Sequence, residues 1–130
     1  MNGASESLNR AMHLATWADC VFLVTVDPTG RPAFTHVEKC KRDGESRVSA
    51  HIWMDTSLLP DGLEGCHAAL LIWQSRRKKG FEIRGRAVEE EQTAVLDGYT
   101  LDESRPHLAQ MQKEIAMEVD GVRPLRIGVA

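Results

Sequence analysis

Residues 20–54 read CVFLVTVDPTGRPAFTHVEKCKRDGESRVSAHIWM, and this stretch decides the fold. Cys20 to Val26 is rich in β-branched and aromatic side chains, which fit a pleated, half-buried surface. Asp27-Pro28-Thr29-Gly30 reads as a turn: Pro28 presets φ at the first central position, and Gly30 can take a positive φ without steric cost. The chain returns through Pro32 to Cys40, with a proline where the opening of a strand tolerates one. Arg42-Asp43-Gly44-Glu45 supplies a second turn through its Asp-Gly pair. Arg47 to Met54 then alternates Val48, Ala50, Ile52 and Met54 against Ser49, His51 and Trp53, the period of a strand with one buried face. Three strands joined by two tight turns make an antiparallel meander.

Outward from the meander, Ser5 to Trp17 has helical spacing. Ser5 or Ser7 can cap it, and Leu8, Ala11, Met12 and Ala15 share a face. Asp55 to Gly65 reads as a loop that crosses an end of the sheet. Ala68 to Trp73 is apolar at every position, so both faces of that strand require cover, one from the core and one from a second layer or a second subunit. Arg76-Arg77-Lys78-Lys79-Gly80 is a basic hairpin loop. Phe81 to Val88 sets Phe81, Ile83, Gly85 and Ala87 against Glu82, Arg84 and Arg86. Glu89 to Tyr99 is expected to form a short helix. Leu101 to Val119 is expected to contain a stronger one, with Ser104 as cap, Pro106 in the first turn and Leu108, Met111, Ile115 and Val119 as its stripe. Gly121 stops it, and Leu125 to Val129 is a last short strand. Six antiparallel strands with two or three helices predict a mainly β domain over residues 1–130. Its architecture is a split or closed Greek-key β-barrel with helices over the ends; an ordinary α+β sandwich is the alternative.

The gross numbers exclude several function classes. A chain of 130 residues is the size of one domain. Its net charge of −3 makes no global electrostatic case for nucleic acid or an anionic membrane. The apolar runs Val21–Val26 and Ala68–Trp73 are too short to cross a bilayer, and Met1 to Asn9 lacks the basic region of a signal peptide. Cys20, Cys40 and Cys66 are odd in number and widely spaced. They read as reduced thiols of a cytoplasmic protein, with neither a disulfide frame nor a zinc site, and a metal site is only weakly signalled. Cys66 and His67 are neighbours on a strand and point to opposite faces, which argues against a thiol–imidazole pair. No Ser-His-Asp order, phosphate-binding P-loop or dinucleotide glycine fingerprint is present.

Three motifs in order carry a resemblance: Val24-Thr25-Val26-Asp27-Pro28-Thr29-Gly30-Arg31-Pro32, the apolar strand Ala69-Leu70-Leu71-Ile72-Trp73, and Lys79-Gly80-Phe81-Glu82-Ile83-Arg84-Gly85-Arg86-Ala87. Together with the closing Arg126-Ile127-Gly128-Val129 they resemble the pyridoxamine 5′-phosphate oxidase-like family of FMN-binding split barrels, of the small FMN-binding protein type. The resemblance implies a homodimer with two FMN sites in the groove between subunits. Mapped onto this chain, it sets Thr35, His36 and Val37, with His51, Ile52 and Trp53, along the flavin ring. It assigns the phosphate to Thr56, Ser57, Gln74, Ser75, Arg76 and Lys79. The implied activity is a redox role, as oxidoreductase or electron carrier, with a flavin, a nicotinamide-type molecule or a redox protein as partner. Oxidation of pyridoxamine phosphate itself is not expected, because no counterpart of the oxidase's substrate-binding tail is present.

The chain departs from the family pattern after the third strand, where Leu58 and Leu59 stand in place of a phosphate-binding lysine. One lost charged hydrogen bond costs about 1.5–3 kcal/mol. Arg76, Arg77, Lys78 and Lys79 are placed to compensate. The alternative is a dimeric barrel that has lost FMN or holds a deazaflavin or haem. Each residue also has a plainer reading: a basic hairpin tip is solvated, His36 and His51 are barrel or interface histidines, and Trp53 and Trp73 are packing residues.

Overall fold

A computed structural model describes residues 3–55, 64–96 and 110–126. Helix α1 (Gly3–Ala15) precedes six strands: β1 (Cys20–Val26), β2 (Pro32–Arg42), β3 (Arg47–Asp55), β4 (His67–Gln74), β5 (Lys79–Leu96) and β6 (Gln110–Arg126). They close into a barrel in the order β1-β2-β3-β6-β5-β4, every pair antiparallel. The link from β3 to β4 skips two strands and makes the Greek key, while the remaining links are hairpins.

The first turn forms through its aspartate. Asp27 Oδ1 accepts hydrogen bonds from the backbone N–H groups of Thr29 and Arg31, each at 2.9 Å, and from Thr29 Oγ1 at 2.6 Å. Gly30 completes it at φ +87°. The Thr29 hydroxyl above all, with the Arg31 and Thr29 N–H groups, holds the Asp27 carboxyl below the usual carboxylate range. Inside the barrel, Leu23, Val37, Val48, Ala50, Ile52, Leu70, Ile72, Ile83, Ala87, Ile115 and Met117 form one core. Leu8, Ala11 and Leu14 of α1 join it, so the helix plugs the end of the barrel at which β1 starts.

The C-terminal third differs from the sequence expectation. Residues 89–96 continue β5 and residues 110–119 belong to β6, where two helices were expected. Ser104, Pro106 and Leu108 lie outside the described residues, as do 97–99. The closing strand was expected at Leu125 to Val129; it begins at Gln110 and reaches Arg126, with 127–130 outside the described residues. The inward stripe of β6 is Lys113, Ile115 and Met117, a period of two. Lys113 pairs with Glu90 of β5 inside the barrel, the two side chains only 10% and 11% exposed. An extra residue at Val88 turns Glu90 inward: Ala87 opposes Met117, and Glu89 already opposes Ala116.

Candidate functional site

The strand register arranges the outward side chains in rows. Leu71 of β4, Phe22 of β1 and His36 of β2 share one row. Ala69, Val24 and Phe34 form the row on one side of it, and Trp73 and Cys20 the row on the other. Phe22 and His36 meet edge to face, with ring centroids 5.7 Å apart. Phe34 is 69% exposed and Phe22 38%. The strand that was apolar at every position thus contributes Ala68, Leu70 and Ile72 to the core and Ala69, Leu71 and Trp73 to an outer apolar wall. At about 4.8 Å per strand, β4, β1, β2 and β3 span roughly 14 Å.

A β-bulge shapes the far side of this wall. Val37 opposes Ile52 and Lys39 opposes His51, so Glu38 is the extra residue. Trp53 Nε1 donates to Glu38 Oε2 at 2.7 Å, and Gln112 Nε2 donates to the same oxygen at 3.2 Å. Beyond the bulge, Lys39 and Lys41 lie opposite His51 and Ser49 on the outer face. Ser49 Oγ donates to Glu114 Oε1 at 2.6 Å, and His51 Nε2 is 3.7 Å from Glu114 Oε2. The Ser49 hydrogen bond, aided by the charges of His51 and Lys41, outweighs burial and holds the Glu114 carboxyl below its ordinary value. Both carboxylates are therefore engaged, while Lys39 and Lys41 stand exposed beside an indole and two imidazoles.

Of the residues assigned to the flavin ring, His36, His51 and Trp53 come together on the outer wall. Thr35, Val37 and Ile52 point into the barrel, Val37 and Ile52 fully buried, because neighbours on a strand alternate. Thr56 and Ser57, with Leu58 and Leu59, lie outside the described residues. Gln74, Ser75, Arg76 and Lys79 are brought together elsewhere, at the β4–β5 hairpin on the α1 end of the barrel. There the Ser75 N–H donates to Asp19 Oδ1 at 2.8 Å, and bonding from Ser75 lowers the Asp19 carboxyl. Gln74 and Arg76 line a cleft of about 630 Å³ with His13, Leu14, Trp17 and Arg77.

Sequence reasoning missed Glu38, Lys39, Lys41 and Glu114. The readable signal is the spacing of Val37 and Cys40, both turned to the core: a three-residue step inside a period-two strand marks a bulge. Glu114 falls within the stretch Leu101 to Val119, where a helix was expected, and it lies in β6. Among the described residues there is no group of three side chains suited to hold a metal ion, and no helix long and apolar enough to cross a membrane.

No protein-family model matches the sequence, and no curated protein matches it. The fold, by contrast, has clear counterparts among solved structures. An FMN-binding protein from Syntrophomonas wolfei superposes with a TM-score of 0.54 at 12% identity, over 97% of this chain and 90% of that one. A putative pyridoxamine 5′-phosphate oxidase from Lactobacillus delbrueckii gives 0.54 at 15% identity, over 88% and 90%. HupZ of Group A Streptococcus gives 0.54 at 13% identity, over 93% and 95%. The fold is that of the FMN-binding, pyridoxamine 5′-phosphate oxidase-like split barrels.

Proposed function

We propose that this split barrel is a homodimeric FMN-binding flavoprotein with a redox role. The observation that carries the reading is the outer wall. Phe22, Phe34, Leu71 and Trp73 form an apolar surface that the described residues leave partly or largely uncovered, bordered by His36, His51 and Trp53 and by two lysines without an ion pair among the described residues. A surface of this kind marks an interface, and a second copy of the chain provides the cover that β4 requires.

The residues present fit FMN in kind. Its ring needs an apolar wall with a few polar groups at one edge, which Phe22, Trp53, His36 and His51 supply. Its phosphate needs cations, and Lys39 and Lys41 occupy the same face, offsetting the leucines at 58 and 59. When bound, the flavin supplies hydride or single-electron transfer; the chain's own residues bind and orient it and keep water from its face. A flavin or nicotinamide-type molecule, or a redox protein, is the exchange partner. The three part-buried free thiols suit a reducing, cytoplasmic setting.

Reconstitution with FMN tests the reading. A visible flavin spectrum and quenched flavin fluorescence are expected, with Lys39→Ala/Lys41→Ala weakening binding about tenfold or more. A colourless protein that leaves FMN fluorescence untouched would sink it, and a Soret band on adding haem would point to the other cofactor class.

A further inference from the structure

We infer that the cleft between α1 and the β4–β5 hairpin is a second ligand site, which takes a nucleotide: a planar heterocycle that carries a phosphate. Its volume of about 630 Å³ falls within the ordinary range for small-molecule sites. Its chemistry is one-sided, since Arg76, Arg77 and His13 line it and no carboxylate does. Both arginines are exposed, and neither has an ion-pair partner among the described residues. Arginine offers a planar fork that matches phosphate oxygens two at a time.

The remaining wall selects a ring. Trp17 is 69% exposed, unusual for the largest apolar side chain in a chain of this size. Its backbone is fixed: the Trp17 N–H donates to the Leu14 carbonyl at 3.0 Å, and the Trp17 carbonyl accepts from Gln74 Nε2 at 3.5 Å. The indole is thus presented on a rigid support, where stacking on a heterocycle costs little ordering. The hairpin is held in place by the bond from the Ser75 N–H to Asp19.

This inference stands apart from the flavin reading, since the cleft lies at the barrel's plugged end and the proposed flavin wall on its side. Calorimetric titration of the intact protein with AMP tests it, with FMN and inorganic phosphate as further arms. AMP is expected to bind once per chain and more tightly than inorganic phosphate. The Arg76→Ala/Arg77→Ala variant should lose at least about tenfold in AMP affinity, and Trp17→Ala should lose a comparable factor. Both replacements are at exposed positions, and an unchanged thermal melt confirms the fold. Absence of AMP binding at millimolar concentration, or equal affinity in the double-arginine variant, overturns the inference. FMN affinity unchanged in that variant leaves cleft and flavin wall as separate sites. A parallel loss of FMN would retain the cleft as a nucleotide site and move the flavin there from the wall.

Discussion

The Lys113–Glu90 pair is a charged contact inside a largely apolar barrel. Replacing Glu90 by Gln keeps the shape of the side chain and removes its charge, so Lys113, itself 8% exposed, is left without a counter-charge. Breaking a buried pair on one side costs about 3–5 kcal/mol. Exposures of 10% and 11% leave little solvent to soften the loss, while the Gln amide oxygen still accepts one hydrogen bond. The lower end, about 3 kcal/mol, is therefore expected, which for a domain of this size lowers Tm by about 10 °C. Lys113→Met/Glu90→Leu, which fills the same space with apolar atoms, should equal or exceed the wild type in stability. Urea unfolding of Lys113→Met, Glu90→Leu and the double, beside Glu90→Gln and at one fixed chain concentration, closes the cycle. A Glu90→Gln change within about 0.5 kcal/mol of wild type, or strictly additive single effects, would refute the reasoning and put the pair in water.

Three further outcomes follow from particular contacts. Gly85→Ala would place a Cβ 1.9 Å from the Glu118 carbonyl oxygen and 2.8 Å from its carbon; backbone must yield, and an unfolding free energy lowered by at least about 2 kcal/mol is expected from urea titration. The carboxyls of Asp27 and Glu114 are lowered in the fold, so their contribution is complete above the unfolded carboxylate range and is lost as pH falls through their folded values. Tm should therefore drop between about pH 5 and pH 3, and Ser49→Ala, which removes the main support of Glu114, should make the drop shallower; an identical profile would exclude that bond. Leu71→Asp places a charge in the middle of the outer wall, and sedimentation at micromolar concentration should show dimer for the wild type and monomer for the variant.

Much of the barrel was legible because turns and alternation are local. The aspartate-led turn at residues 27–30, the Asp-Gly turn and the inward set Val48, Ala50 and Ile52 all need only neighbouring residues to read. The outer wall was half legible. An all-apolar strand at Ala68 to Trp73 announced that a second face required cover, but the exposure of Phe34 and Phe22 beside it depends on a register set by β1, which no local pattern shows. The candidate site was least legible. Its residues were assigned as consecutive triplets, whereas alternation sends Thr35, Val37 and Ile52 inward, and the bulge at Glu38 that brings Lys39 and Lys41 alongside His51 shifts the count by one.

The misreading of the last third has a single physical cause. Strand patterns are recognised by apolar residues at every second position, and β5 and β6 each place a charge at one of those positions, Glu90 and Lys113. With Lys113 counted as outward, Ile115 and Val119 fall at helical spacing with Met111, and Glu89 to Gln92 looks like the polar face of a helix. Each charge is tolerated inside only because the other lies diagonally across the strand pair, and that pairing joins residues 23 positions apart in sequence. A buried pair of this kind contributes little net stability over an apolar pair, yet it disfavours alternative registers of the long β5–β6 hairpin, since a slip of β6 by one residue would turn Lys113 outward together with Ile115 and Met117 and leave Glu90 inside without Lys113. The feature that hid the two strands in the sequence is thus one that specifies their register, and the Lys113→Met/Glu90→Leu variant separates the two effects: it should keep stability while weakening the selection of one register, seen as broadened β5–β6 amide signals in NMR spectra.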